Sequence, residues 1–330
     1  MATARSVMAI GDEQHPAMIG GGGDDATAIE DLPADVLALV LRRLDGASLA
    51  ALGCASSSFH ALATDPDAWR ALCLALWPSV RDVVLCRDGG GGGGKGHRQL
   101  FADAFPFPAW PPAPAPPPSS SRRLPTRLVS AVDLHHGGAC IMSRVVETDA
   151  SSGWFLGSPF RVDALVQEGF SAPSPPITPG ELTLSWILID PASGRAVNAS
   201  SRRPVRVERR WFTGETVVRF GVVLGGAALD AAVTCDERRG HVREVSLCMD
   251  DGEGGGVSGL DGLAVVAAAM EGARQGRGAE AAAGARYEEF VKGKTARKER
   301  MARREGIVDL CCSGVGAAAF VGFLVMLTFR

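Results

Sequence analysis

The chain has 330 residues, 46% hydrophobic and 22% charged, which is enough apolar material for a globular core in one or two domains. Its net charge of −3 is too close to neutral for bulk nucleic-acid binding, so no nucleic-acid partner is expected. The 41 glycines and 20 prolines gather in low-complexity runs, which excludes one evenly packed body.

Residues 1–28 contain no continuous apolar run and make a poor secretory signal; their glycine and acid content reads as a disordered tail. The eight cysteines form no Cys-x-x-Cys pair and have no regularly spaced histidine, so no metal site is expected and a reducing, cytosolic setting is. Asn198-Ala199-Ser200 matches a glycosylation sequon, but without an export signal it reads as a chance match.

Residues 29–80 read as helical. Leu32-Pro33 marks a helix start, because proline fits the first turn and Asp35 sits near the positive helix end. Val36, Leu37, Val40, Leu41 and Leu44 then recur at helical spacing, and Asp45-Gly46 stops the helix. A second stretch follows Ser48 as its N-cap, with Leu49, Leu52, Phe59 and Leu62 as apolar positions. Thr64-Asp65-Pro66-Asp67 opens a third helix carrying Trp69, Leu72, Leu76 and Trp77, and Pro78 ends it.

Residues 87–126 read as a Gly/Pro-rich linker. Gly89 to Gly94 is an unbroken glycine run, Pro106 to Pro118 is a stiff proline-rich run, and a short helix can form between them at His97–Ala102. The spacer reading is preferred to a ligand for an SH3- or WW-type module. Over 127–250 the pattern changes to short runs rich in β-branched and aromatic residues. They begin with RLVSAVDL and ACIMSRVVET and end with HVREVSLCM, separated by Gly, Pro, Ser or Asp, as in an antiparallel sandwich or barrel. Val205 and Val207 alternate with Arg206 and Glu208, placing valines on one face and charges on the other, and Trp154, Trp186 and Trp211 are expected in the core. Asp190-Pro191-Ala192-Ser193-Gly194 reads as a turn.

Residues 259–305 are helix-competent and end in a basic run from Lys292 to Arg304. About twenty uncharged residues follow at 310–329, the length that spans a bilayer core. Positive charge before this segment and almost nothing after it predict a tail anchor, with the body on the cytosolic face of a membrane such as the endoplasmic reticulum. If the tail does not insert, the cytosol or nucleus is expected. Cys311 and Cys312, at the cytosolic edge of the span, are candidates for palmitoylation, and Gly314–Ala318 is small enough for helix pairing in the membrane.

No catalytic grouping stands out. There is no nucleophile elbow, no zinc-protease motif, no Walker loop and no dinucleotide fingerprint, and no cofactor is expected. His135-His136 sits at a strand end, where adjacent side chains face opposite ways and cannot share one metal. The Arg202–Arg210 patch is either a solvated face or a surface for an acidic partner.

The series Leu32-Pro33-x-Asp35-x-Leu37, Leu41, Leu44, Leu49, Leu52, Cys54, Phe59, Leu62, Asp65-Pro66 and Trp69 resembles an F-box, the small three-helix module that docks a Skp-type adaptor in Skp–cullin–F-box ubiquitin ligases. Two positions depart from the family's pattern: Asp45 replaces a frequent proline, and Phe59-His60 replaces Trp-Arg. The segments Ser130–Leu134, Gly153–Asp163 and Leu184–Pro191 resemble a plant group of F-box proteins with a β-rich C-terminal region and a hydrophobic tail.

The resemblance implies an α+β protein in several parts: an F-box, a linker, a mainly antiparallel β domain and C-terminal helices ending in a membrane span. It implies a non-catalytic adaptor subunit that meets a Skp-type adaptor, and through it a cullin, and that recruits a protein substrate for ubiquitination. An F-box alone is too small to be very stable, so its leucines divide between core and interface. The residues assigned to adaptor docking are Leu32, Pro33, Leu37, Leu41, Leu44 and Leu49. Those assigned to substrate contact are Arg206, Arg209 and Trp211. The linker is expected to let the F-box and the β domain separate. The rival reading is a membrane-anchored β-sandwich or scaffold protein, with a carbohydrate, lipid or protein ligand, outside ubiquitination.

Overall fold

The computed structural model describes residues 29, 32–83, 96–105, 107–108, 123–171, 177–236, 240–253, 256–275 and 279–329. The expected disordered tail, the glycine run and nearly all of the proline-rich run lie outside the described residues.

Four short helices come first: α1 (Ala34–Leu41), α2 (Gly46–Leu52), α3 (Ser57–Ala63) and α4 (Pro66–Leu76). Pro33 holds the N-cap position of α1, where its carbonyl accepts from the Val36 and Leu37 N–H groups at 3.0 Å each. Asp45, rather than Ser48, caps α2: its Oδ1 accepts from the Ser48 N–H at 2.7 Å. The stretch expected as one second helix is divided, because Ser56 takes extended backbone and its hydroxyl accepts from the Phe59 N–H, starting α3 afresh. Asp65 caps α4 by accepting from the Asp67 and Ala68 N–H groups, with Pro66 at the first helical position. A 3-10 turn, Pro78–Asp82, follows α4.

Helix α5 (Gly96–Ala104) forms where the short helix between the glycine and proline runs was expected. The β region comprises β1 (Phe107–Pro108), β2 (Arg127–His136), β3 (Ala139–Asp149), β4 (Arg161–Ser171), β5 (Leu182–Ile189), β6 (Ala196–Asn198), β7 (Arg206–Arg210), β8 (Glu215–Leu224), β9 (Ala227–Asp236), β10 (His241–Asp250) and β11 (Arg274–Gln275). Helices α6 (Gly153–Gly157), α7 (Gly259–Glu271) and α8 (Ala279–Thr328) complete the order. Every segment read from the sequence as a strand is one; β1, β6 and β11 are too short to carry a period.

All pairings between strands are antiparallel. One sheet has the order β4-β10-β9-β8-β7, a second β3-β2-β5-β6, and β1 pairs with β11. Two tight hairpins set the register. Gly137 and Gly138 (φ 58° and 85°) join β2 to β3, and Gly225 and Gly226 (φ 55° and 93°) join β8 to β9. Both turns need left-handed backbone at two successive residues, which glycine adopts without strain.

The layers follow from side-chain direction. Leu128, Val132, Leu134, Leu184, Trp186 and Leu188 point from the four-stranded sheet into a core shared with the inner face of the five-stranded sheet. The alternate residues Val129, Ala131, Ile187, Ile189 and Ala196 point the other way and pack with Leu41, Leu49, Trp69, Trp77 and Phe101 of the helices. The four-stranded sheet is therefore covered on both faces, which explains the nearly continuous burial of β2 and β5.

Three expectations are corrected here. The helical module does not separate from the β domain; it packs on the sheet, because α5 inserts Leu100, Phe101 and Ala104 between α4 and β6. Trp186 is fully buried, but Trp154 and Trp211 are 80% and 89% exposed, because they lie on the short helix α6 and in the β7–β8 turn. Val207 is exposed as well, since β7 is the last strand of its sheet and overhangs the core.

Helix α8 is 50 residues long, about 75 Å at 1.5 Å per residue. Its first turns bury Ala279 and Ala283 in the main core cluster and Tyr287 against Gly221 of β8. The Tyr287 ring lies on bare backbone at Gly221, where an added Cβ would stand 2.0 Å from it. Lys294 pairs with Asp250, and Arg297 Nε donates to the Gly252 carbonyl at 3.1 Å. Beyond these contacts the described side chains of the helix are exposed to its end.

Candidate functional site

Helix α1 carries two apolar stripes. Leu37 and Leu41 face inward and are buried, with Leu44 half-buried just after the helix. Val36, Leu39 and Val40 face outward at 42%, 63% and 42% exposure. Positions 36, 39, 40 and 43 share one face at helical spacing, and Arg43 ends that face. Ile29 and Leu32 extend the apolar surface ahead of the helix. A contiguous apolar patch of this kind on a short helix marks an interaction surface.

The residues assigned to docking from the sequence thus fall on both sides. Leu32 and Pro33 are exposed, Leu44 is half-buried, and Leu37, Leu41 and Leu49 are packed inside. Ile29, Val36, Leu39 and Val40 were not assigned. The signal for the last three was present in the i, i+3, i+4 spacing, but an eight-residue helix with apolar residues on both sides does not announce which side is inside.

The inner side is fastened by aromatic packing. Trp69 Nε1 donates to the Ala63 carbonyl at 2.7 Å, and Phe101 meets Trp69 at 5.3 Å and Trp77 at 5.9 Å between ring centroids. Gly46 opens α2 so close to Phe101 that a Cβ would lie 2.2 Å from the ring. Cys73 is buried in the same cluster, with its Sγ bonded to the His97 carbonyl; burial pushes its thiol up to about 12, so it stays protonated and unreactive.

Polar ties then bind this layer to the β domain. Asp133 on β2 is fully buried and accepts from both the N–H and the hydroxyl of Ser79. Burial raises its pKa, and the hydrogen bonds from Ser79 and Ser143 oppose that rise. Asp103 at the end of α5 is buried too, 3.2 Å from Arg195, and it accepts from the Gln99 side chain. Arg274 donates to the carbonyls of Asp103, Ala196, Ala269, Met270 and Gly272, joining α5, β6 and α7 through one guanidinium. Desolvation lowers the Arg274 pKa. These ties are long-range pairings with no local sequence signature.

On the β domain, Arg206 pairs with Glu208 at 2.6 Å, and Arg210 lies 3.8 Å from Glu215. Arg209 follows on the same edge strand, and Trp211 and Phe212 project from its turn with their rings edge to face at 5.9 Å. His135 and His136 do face opposite ways. His136 is buried and its Nε2 accepts from the Thr178 N–H at 3.1 Å, while burial lowers the His135 pKa. His136 is thereby placed in a structural role at the end of β2. On the outer face of the five-stranded sheet, Arg219 bonds Asp230 and Glu208; burial raises the Asp230 pKa, and the Arg219 charge opposes it.

The segment Cys311–Thr328 of α8 has a mean hydropathy of 2.0 and none of it is buried within the protein, so it is long and apolar enough to cross a bilayer. Cys311 and Cys312 are exposed at its start.

Comparison with known proteins agrees with this layout. The F-box-like family model matches residues 29–75, which covers α1 through nearly all of α4. Three Arabidopsis thaliana proteins that bear F-box protein names are similar over most of the chain. At2g36090 is 38% identical over 88% of this chain and 90% of its own length. At2g27310 is 35% identical over 89% and 94%, and At3g44326 is 35% identical over 94% and 92%. No solved structure matches the chain.

Proposed function

The chain belongs to the plant F-box proteins, a family of substrate adaptors for Skp–cullin–F-box ubiquitin ligases, and from that premise we propose that the outer face of α1 docks the Skp-type adaptor while the β domain holds the target. The observation that carries this reading is the division of α1: Leu37 and Leu41 are spent on the internal core, whereas Ile29, Leu32, Val36, Leu39 and Val40 remain in solvent. Full burial of a Val or Leu side chain stabilises an interface by about 1.5–3 kcal/mol, so a few such residues are enough to hold a partner helix in a groove. The protein itself transfers no ubiquitin; it positions a target for other subunits.

The second part of the proposal concerns the tail. Cys311–Thr328 spans the membrane, the basic residues before it stay on the cytosolic side, and Cys311 and Cys312 at the boundary accept palmitate. Because α8 is docked through Tyr287, Lys294 and Arg297 and continues unbroken, it sets the distance between the membrane and the body. From Arg297 to Cys311 that distance is about 21 Å along the helix at 1.5 Å per residue.

Tagged full-length protein, solubilised in mild detergent, tests the first part: it is expected to bring down both a Skp-type adaptor and a cullin. Recovery of neither overturns the proposal. Recovery of the adaptor without cullin moves the function to a scaffold outside ubiquitination.

A further inference from the structure

The five-stranded sheet ends in an open margin. Among the described residues β7 is bonded to β8 on one side only, and all five of its residues are exposed or half-exposed. Arg206, Arg209 and Arg210 make this margin basic, and Arg202 and Arg203 precede it. Glu208 pairs with Arg206 and Arg219, and Glu215 lies beside Arg210, so part of this charge is engaged within the sheet while Arg206 and Arg210 remain about half exposed.

Charge by itself is a common protection of an edge strand against unwanted pairing. Here the apolar residues contradict that explanation. Trp211 is 89% exposed, Phe212 69% and Val207 49%, so the margin presents a large aromatic surface beside its arginines. Tryptophan and arginine together are the residue types that dominate binding energy at interfaces. Between β7 and α8 runs a groove of about 450 Å³, its apolar lining Val205, Tyr287, Val291 and Ala296, with Arg206 and Lys292 and also Glu288, Thr295 and Glu299 around it.

The strand register shows where this surface points. Arg210 pairs with Glu215, Glu215 with Asp236 and Asp236 with His241, which places the β7–β8 turn at that end of the sheet. Lys294 and Arg297 bond Asp250 and the Gly252 carbonyl at the opposite end, where α8 leaves the body. The aromatic pair therefore lies away from the apolar tail, which argues for a protein partner and against a lipid surface.

We propose that β7 receives an extended acidic peptide as a sixth strand of this sheet. The peptide's backbone bonds the open edge, its carboxylates meet Arg206, Arg209 and Arg210, and an apolar side chain enters the groove beside Tyr287 or rests on Trp211. This rests on the substrate-receptor reading above and gives the target a chemistry.

The test titrates the full-length protein in detergent with a fluorescein-labelled peptide of alternating valine and glutamate. Saturable binding is expected, with slowed hydrogen exchange across β7 and weakening as salt is added. Trp211→Ala combined with Phe212→Ala weakens it about tenfold or more. A peptide of alternating valine and lysine binds at least about tenfold more weakly than the acidic one. Absence of binding, equal affinity for the two peptides, indifference to the double substitution, or exchange protection elsewhere overturns the proposal. So does a result in which protein lacking 307–330 binds phosphatidylserine vesicles and the double substitution abolishes that binding. Adaptor copurification is measured on the same double variant and is expected unchanged. Loss of the adaptor by the unsubstituted protein instead strikes at the receptor reading and leaves the edge-strand result intact.

Discussion

Ser79 and Asp133, 54 positions apart, are joined by two hydrogen bonds: the Ser79 N–H donates to Asp133 Oδ1 at 2.9 Å and its hydroxyl donates to Oδ2 at 2.6 Å. The pair fastens the turn after α4 to the second strand of the β region, beneath the helical layer. Asp133→Ala leaves two buried Ser79 donors without their acceptor and is expected to lower stability by about 2–3 kcal/mol, measured by urea unfolding.

The same carboxyl gives a pH dependence with a definite sign. Burial raises the Asp133 pKa above 3.8 in the folded protein, so the native state binds this proton more readily than the unfolded chain does. Its contribution is fully present below 3.8 and is lost as pH rises through the raised folded value. Asp133→Asn does not titrate. The stability of the wild type relative to this variant is therefore expected to fall as pH rises through that window and to stay level above it. A difference that does not change with pH in paired urea titrations would sink this account.

Gly46 and Gly284 give opposite outcomes for one substitution. A Cβ on Gly46 meets the Phe101 ring at 2.2 Å, whereas one on Gly284 meets nothing within 4 Å. Gly46→Ala is expected to destabilise by about 1–3 kcal/mol through overpacking. Gly284→Ala, within helix α8, is expected to be neutral or to stabilise by up to about 1 kcal/mol. Thermal unfolding of the two variants side by side reads the contrast.

Substitutions along α1 separate docking from folding. Val36→Asp with Leu39→Asp changes only exposed positions, so the fold should persist, with unchanged circular dichroism, while adaptor recovery drops at least about tenfold. Leu37→Asp places a charge in the buried stripe and is expected to unfold the helical layer, with adaptor recovery lost as a consequence. Full adaptor binding by the Val36/Leu39 variant would remove α1 from the interface.

At α8, docking and membrane insertion are separable. Gly221→Ala drives a methyl into the Tyr287 ring and is expected to free the start of the helix, seen as faster limited proteolysis near residue 287, without releasing the protein from membranes. Removal of residues 307–330 is expected to move the protein into the alkaline-carbonate supernatant while adaptor binding is kept. Retention of the truncated protein in the membrane pellet would rule out Cys311–Thr328 as the anchor.

Much of this was legible before the fold was known. The strand segments of 127–250 carry their own turn residues and β-branched runs, and the apolar tail declares itself by length. The order of leucines, Asp65-Pro66 and Trp69 marks the family. Burial was harder to read, because a tryptophan has the same letter at a core position and at a turn: Trp186 is fully buried, while Trp154 and Trp211 stand in solvent. The short helix expected within the spacer is α5, but nothing local marked its Phe101 as a central contact between the helices and the sheet.

The sequence by itself determined what is local: helix and strand periodicity, the helix start at Asp65-Pro66, the turn residues between strands and the apolar span. Only the tertiary structure decided which face of each element is inside. Leu41 and Val40 are equally apolar neighbours on α1, and what separates them is contact with a layer brought together across long stretches of chain. The same holds for Ser79 with Asp133 and for Arg274 with Asp103: each is a polar group that can be buried only because a distant residue supplies its partner. That pairing is a property of the assembled layers, which is why the solvent-facing side of α1 becomes visible only when its other face has been covered.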